Sequence, residues 1–263
     1  MNINNHDDET RQAAQQSPTI DLAARADSAQ PQLSPRRRAA QRLLRAEIRY
    51  AAALAAFTLL AVFAHFYSYF GWDLRAERAL QSLAIPGLEA LMRFVSFFGN
   101  TWHPHAITAI TLSLFLYFRR RSEAAALLLS AGGCAIVNSL AKILIARPRP
   151  TADLVRVFRD VPTQSFPSGH VTFYVCYFGF LFFTAYALLP RASSVRRLAL
   201  AAFFLPVLLV GFSRVYLGAH WPSDTIGAYL LSGVWLAFSL HMYRHWKERA
   251  TFHAKSDGQS TTG

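Results

Sequence analysis

Between two long apolar runs the chain carries Ser213-Arg214-Val215-Tyr216-Leu217-Gly218-Ala219-His220-Trp221-Pro222-Ser223-Asp224, which holds a cation, an imidazole and a carboxylate. Polar groups at the mouth of an apolar span are costly to place and mark function. His220 and Asp224 are four residues apart, a spacing that shares one face of a helical turn. A carboxylate so placed fixes one tautomer of the imidazole and leaves the other nitrogen free to attack or to take a proton. Two polar clusters precede this one: Lys142 with Arg149-Pro150, and Pro167-Ser168-Gly169-His170. Pro167 ends a loop, Ser168 suits an N-cap, and Gly169 admits a ligand close to the backbone. The free N–H groups of the helical turn that follows bind anions, and His170 in that turn can protonate a leaving oxygen. Arg149 offers a planar fork to two phosphate oxygens, Lys142 a compact charge, and Arg214 a third cation. Three cations at one depth repel each other unless an anion, such as a dianionic phosphate, joins them.

Each cluster alone has a plainer explanation. Ser168 to His170 reads as an ordinary cap with an incidental histidine. Lys142 reads as a snorkelling lysine beside an interfacial arginine, and His220 with Asp224 as a pair that only starts a helix. The coincidence of all three on one expected face carries the phosphate-site reading.

The elements that must position these residues are read from hydropathy. Of 263 residues, 53% are hydrophobic and 16% charged, which points to an all-α, polytopic membrane protein. Six spans are expected, near 50–70, 97–118, 123–146, 168–189, 198–216 and 223–243, forming a six-transmembrane-helix bundle with an outward-facing phosphate site. Residues 1–34 are polar and expected to be disordered. Residues 35–49 form a basic cytoplasmic flank, 50–245 the membrane domain, and 246–263 a cytoplasmic tail, disordered from His253 onward. Between the first two spans, residues 71–96 read as short interfacial helices broken at Pro86-Gly87. His65 reads as a packed, hydrogen-bonded histidine, and His103 and His105 as interfacial rings. Cys134 and Cys176 lie in apolar runs with no metal-ligand spacing and read as packing residues.

The net charge of +12 comes largely from arginines between apolar runs. Membrane orientation accounts for most of them, so the bilayer and not nucleic acid is the expected partner. Arg36 to Arg49, Arg119 to Arg121, Arg191 with Arg196 and Arg197, and Arg244 with Lys247 all fall on one side, the expected cytoplasmic one. The loop 147–167 then faces outward and is also rich in arginine, for which anion binding supplies a reason.

Lys142 followed after six residues by Arg149-Pro150, then Pro167-Ser168-Gly169-His170, then Ser213-Arg214 with His220 and Asp224, resembles the three-part signature of the type-2 phosphatidic acid phosphatase and vanadium haloperoxidase superfamily. The resemblance covers about residues 50–245. It implies a membrane lipid phosphatase that needs no metal or other cofactor. His220 would be the nucleophile, Asp224 its orienting partner and His170 the general acid. Lys142, Arg149, Ser168, Gly169 and Arg214 would be the phosphate ligands. Undecaprenyl pyrophosphate, phosphatidylglycerophosphate, phosphatidate and a lipid A phosphate are the candidate substrates. Transfer to an acceptor other than water, and lipid or anion transport through the same basic pocket, are the alternatives. Transport would leave the His220–Asp224 pair without a purpose.

Overall fold

The structure is a computed structural model. It describes residues 35–159 and 162–260, with the side chains of 35–40, 42–43 and 249–260 left aside. The expected disordered tail, 1–34, lies outside the described residues. The chain divides into Met1–Arg49 and Tyr50–Gly263, and every expected site residue belongs to the second unit.

Every regular element among the described residues is a helix. In chain order they are α1 (Pro35–Phe66), α2 (Gly71–Gln81), α3 (Leu88–Ser96), a 3₁₀ turn (Phe97–Gly99), α4 (His103–Tyr117), α5 (Arg121–Leu127), a π turn (Leu128–Gly133), α6 (Cys134–Ile145), α7 (Gly169–Leu188), α8 (Ser194–Tyr216) and α9 (Pro222–Ser260). Helices are the required solution for an apolar chain in lipid, because each satisfies its own backbone hydrogen bonds. Among the described residues five stretches are long and apolar enough to cross a membrane: Leu44–Phe66, Arg121–Ile145, Gly169–Leu188, Ser194–Tyr216 and Pro222–Glu248. The expected span near 97–118 is shorter than its hydropathy suggests. The 3₁₀ turn and a bend take up its start, and α4 proper has 15 residues. At the other end of the chain, α9 continues to Ser260, through residues expected to be disordered.

Helix α7 is the centre. Half of its apolar window is buried, against 6% for α1, and it packs against both α8 and α9. Val171, Tyr174, Val175, Phe178 and Phe180 of α7 form one core with Val210 of α8, Ala228 of α9 and Leu127 of α5. The π turn has a visible cause. The Trp235 ring occupies the space a Cβ at Gly133 would fill, 2.6 Å from it, and Trp235 Nε1 donates to Leu129 O at 3.0 Å. Cys134 and Cys176 are fully buried free thiols, and His65 Nδ1 lies 3.1 Å from Ile145 O, as packing roles require.

The ends of four helices meet at one end of this bundle. α6 stops at Ala146, whose φ of 53° is left-handed, just ahead of Pro148 and Pro150. From there an irregular stretch runs to Ser168 and α7 begins. Asn138 of α6 ties that start down: its Nδ2 donates to Thr172 Oγ1 at 2.9 Å and to Pro167 O at 3.4 Å. Ser168 N donates to Asp224 O at 3.3 Å, joining the starts of α7 and α9. The C-terminus of α8 reaches the same place through a tight turn at Gly218.

Candidate active site

That turn delivers His220. Gly218 has φ +64°, and a Cβ there would sit 2.0 Å from Arg156 O, so only glycine fits. Phe158 N donates to Leu217 O at 3.2 Å, which seats the turn against the preceding loop. Gln81 of α2 clamps both sides, donating to Arg156 O at 2.8 Å and to Tyr216 O at 3.1 Å.

His220 is 1% exposed. Its Nε2 lies 3.2 Å from Arg149 Nη1, and its Nδ1 lies 3.6 Å from Asp224 Oδ2. The expected sharing of one helical face by His220 and Asp224 does not occur, because α9 starts at Pro222 and leaves His220 in the loop. Asp224 still stands behind the ring, but 3.6 Å is too long for a hydrogen bond. The carboxylate is committed elsewhere: it accepts from Arg147 Nη1 at 2.6 Å, from Trp221 N at 2.9 Å and from the Ser165 hydroxyl. Burial first, then the charges of Arg149, Lys142 and Arg214, hold His220 well below the ordinary imidazole range. The ring is therefore neutral at pH 7, with a lone pair available.

Each of the three expected cations is anchored by a hydrogen bond. Lys142 Nζ donates to Gln164 O at 2.5 Å and lies 3.4 Å from Ser165 O. Arg149 donates to Thr163 O at 2.7 Å and to Ala219 O at 2.6 Å, so it bridges the 163–165 strip to the His220 loop. Arg214 is buried and donates to Ser96 Oγ at 3.0 Å.

Ser168 occupies the N-cap position of α7, yet its side chain makes no capping bond, contrary to expectation. Its hydroxyl is fully buried without a hydrogen-bond partner. A buried hydroxyl left so is costly, and a ligand oxygen would satisfy it. At Gly169 the nearest group to an added Cβ is Asn138 Oδ1 at 3.6 Å, so the backbone there is uncrowded. His170 Nε2 lies 3.0 Å from Asn100 Oδ1, and its ring rests on Gly99, where a Cβ would come within 2.3 Å. His170 and Arg214 line a cavity of about 560 Å³ together with Arg93, Ser96, Phe97 and Asn100. Ala219, the neighbour of His220, also lines this cavity.

Sequence reasoning missed two groups. The first is Arg147, whose buried side chain donates to Asp73 Oδ2 at 3.0 Å, to Ser223 Oγ at 2.7 Å and to Asp224. Asp73 also accepts from Ser223 N at 2.8 Å, so α2 and α9 are locked together next to the His220 loop. The available signal was the spacing of Asp73, Glu77 and Gln81, a polar stripe at helical period on a short helix. The second is the pair Ser96 and Asn100, which hold Arg214 and His170 from a segment outside the signature.

Residues 123–248 match the PAP2 superfamily. An undecaprenyl-diphosphatase of Sulfolobus acidocaldarius is 27% identical over 179 residues, covering 64% of this chain and 76% of that protein. Phosphatidylglycerophosphatase B of Bacillus subtilis is 26% identical over 175 residues, covering 66% and 85%. A decaprenylphosphoryl-5-phosphoribose phosphatase of Mycobacterium tuberculosis is 33% identical over 155 residues, covering 56% and 76%. Among solved structures, the transmembrane PAP2-type phosphatidylglycerolphosphate phosphatase of Bacillus subtilis has the same fold, with a TM-score of 0.64 and 22% identity over 76% of this chain and 96% of that one. These relatives are lipid phosphatases, and with one of them a third identical across three quarters of its own length, this membrane protein belongs to the PAP2 superfamily.

Proposed function

We propose that this chain hydrolyses a phosphomonoester or diphosphate of a membrane lipid through a phosphohistidine on His220. The observation that carries the reading is the meeting of a buried His220 with Arg149 at 3.2 Å, beside a helix start whose Ser168 hydroxyl is buried without a hydrogen-bond partner. The phosphate lies among Lys142, Arg149 and Arg214, with the backbone N–H of Gly169 and the Ser168 hydroxyl completing its shell. Nε2 of His220 attacks phosphorus as the bond to the leaving oxygen breaks, and His170 gives that oxygen its proton. Water then forms the new P–O bond, the P–N bond breaks, and the water proton passes to His170. Asp224 and Arg147 hold the back of the loop while charge develops on the imidazole. Most of the rate comes from cations and N–H groups already in place.

The scheme fills every role with the chain's own side chains and backbone N–H groups and needs no metal. Among the described residues no three His, Cys, Asp or Glu side chains are grouped as metal ligands. The lipid tails stay in the bilayer, in the inner membrane, with the site on the extracytoplasmic side and both termini in the cytoplasm. Phosphate release by the purified protein from lipid phosphates in detergent tests this reading. His220→Ala should lower turnover by at least about 10³-fold. Turnover kept within tenfold of the parent would remove His220 as nucleophile, and strong inhibition by a chelator would bring a metal into the scheme.

A further inference from the structure

This inference rests on the phosphatase reading, in which His170 is the general acid. Residues 96–103 precede the 123–248 match, yet they hold the ring of His170. Gly99 gives the ring its seat: a Cβ there would come within 2.3 Å of Cδ2 and 3.0 Å of Nε2. Asn100 follows and is pinned through its backbone, its N donating to Phe97 O at 3.1 Å and its O accepting from His103 N at 3.0 Å. Next comes Thr101 at φ 42°, a left-handed conformation that a β-branched residue rarely adopts. Strain of that kind persists where the surroundings over-determine it, and both flanks here are tied down. Upstream, Ser96 Oγ lies 2.6 Å from Ser213 Oγ, and the Tyr174 hydroxyl, one turn beyond His170, donates to Val95 O. Downstream, His103 Nδ1 lies 2.8 Å from Asn100 O. The Asn100 side chain so held meets His170 Nε2 with its carbonyl oxygen, Oδ1, at 3.0 Å. A carbonyl oxygen only accepts, so Nε2 carries a proton whether the ring is neutral or charged. Nδ1 has no hydrogen-bond partner among the described residues, and the ring lines the cavity.

We propose that Asn100 is a positioning residue that fixes the tautomer of His170 and makes Nδ1 the nitrogen that protonates the leaving oxygen. When the scissile P–O bond breaks, its electron pair stays on the leaving oxygen. The Nδ1–H bond of the imidazolium breaks, and that proton moves to the oxygen. Nε2 keeps its proton on Asn100, so the neutral ring is left as the tautomer that Asn100 selects. Nδ1 then takes the proton of the attacking water. The opposite tautomer would offer that water no lone pair and would leave Asn100 Oδ1 facing a second acceptor.

The test compares leaving groups that differ in their need for a proton. Phosphatidate and phosphatidylglycerophosphate release an alkoxide that must be protonated, whereas p-nitrophenyl phosphate releases a phenolate stable as the anion. On each probe kcat/KM covers formation of the phosphohistidine alone, because loss of the leaving group is the first irreversible step. The readout is the ratio of kcat/KM on the faster of the two lipids to that on p-nitrophenyl phosphate, for the purified full chain in one detergent. In Asn100→Leu this ratio should fall about 10²-fold from the parent's. Asn100→Asp keeps an acceptor oxygen and has no donor, and should hold the ratio within about fivefold. The ratio is insensitive to how much of a variant is folded, and Asn100→Ala repeats the comparison without the bulk of leucine. A ratio unchanged in Asn100→Leu and Asn100→Ala, equal loss on both kinds of probe included, overturns the positioning role, since a general loss of structure acts on both alike. A ratio that falls as far in Asn100→Asp overturns the tautomer, because the amide would then be needed as a donor. No phosphate release from the probes by monodisperse parent protein overturns the phosphatase reading instead.

Discussion

Arg147 shows why a residue without a place in the signature can matter as much as one inside it. Its guanidinium is enclosed, with Asp73 at 3.0 Å, Asp224 at 2.6 Å and the Phe70 ring 4.7 Å away. Removing the charge leaves two buried carboxylates facing each other, which costs about 3–5 kcal/mol. Arg147→Met should therefore unfold at markedly lower denaturant or temperature in detergent. Arg147→Lys should recover only part of the loss, since an ammonium cannot span three acceptors with a planar fork. Parent-like unfolding of Arg147→Met would mean that the cluster is not structural. The contrast with Arg149 explains what could be read in advance. Both arginines sit in the same Arg-Pro-Arg-Pro run, and Arg149 was legible because Lys142 precedes it at a telling distance in an apolar helix. Arg147 takes its meaning from Asp73, 74 positions earlier in a stretch that reads as an interfacial helix, and no local period connects the two. Asn100 was hidden for the same reason, since its partner His170 is 70 positions away.

At the scale of elements, α2 is an inverted amphipathic helix: its polar stripe, Asp73, Glu77 and Gln81, is the buried one. Asp73 and Gln81 use their polar atoms, but both carboxyl oxygens of Glu77 are buried without a hydrogen-bond partner. Burial first, then the charges of Asp224 and Asp73, push the Glu77 carboxyl up from 4.5 to about 9. Between those two values the unfolded chain releases a proton that the folded chain keeps. Stability must therefore fall as pH rises from about 4.5 to about 9 and level off above that. Glu77→Gln should flatten this slope and raise the melting temperature at pH 8; an unchanged slope would mean that Glu77 is ionised in the fold. The turn that α2 clamps makes a second test. Gly218→Ala forces a left-handed alanine, worth about 1–2 kcal/mol, and drives a methyl group into Arg156 O. Because the strain sits two residues before His220, activity should fall by at least about 10²-fold. A fully active variant would show that the loop position is not critical. Hydropathy located α7, α8 and the start of α9 to within a few residues, since long apolar runs leave few choices in lipid, but not the end of α9, which continues past the apolar run to Ser260. It failed to mark the start of α4, where the Phe97–Gly99 turn is as apolar as a helix.

For the whole molecule, the short α4 decides the topology. Its 15 residues rise about 22 Å, less than the ~30 Å hydrocarbon core of a bilayer. Yet the chain just before it touches the site end of the bundle, where Asn100 meets His170. Just after it, Glu123 meets Tyr243 and Lys247 at the far end. Midway, Thr111 Oγ1 lies 2.6 Å from the Tyr177 hydroxyl of α7. Aromatic rings mark both ends of α4, with Trp102 64% and Tyr117 80% exposed, as in the interfacial belts of spanning segments. We therefore expect α4 to cross, giving six spans, with the arginines at 119–121, 191, 196 and 197 on the cytoplasmic side and the site outside. Because Cys134 and Cys176 are fully buried, single added cysteines can report sidedness over a low background. On intact cells a membrane-impermeant maleimide should label Ala152→Cys, in the site-end loop, and should label Arg119→Cys and Ala192→Cys only after permeabilisation. Labelling of Arg119→Cys together with Ala152→Cys would mean that α4 turns back without crossing. Labelling of Ala192→Cys but not Ala152→Cys would place the phosphate site in the cytoplasm, and its substrate on the inner leaflet.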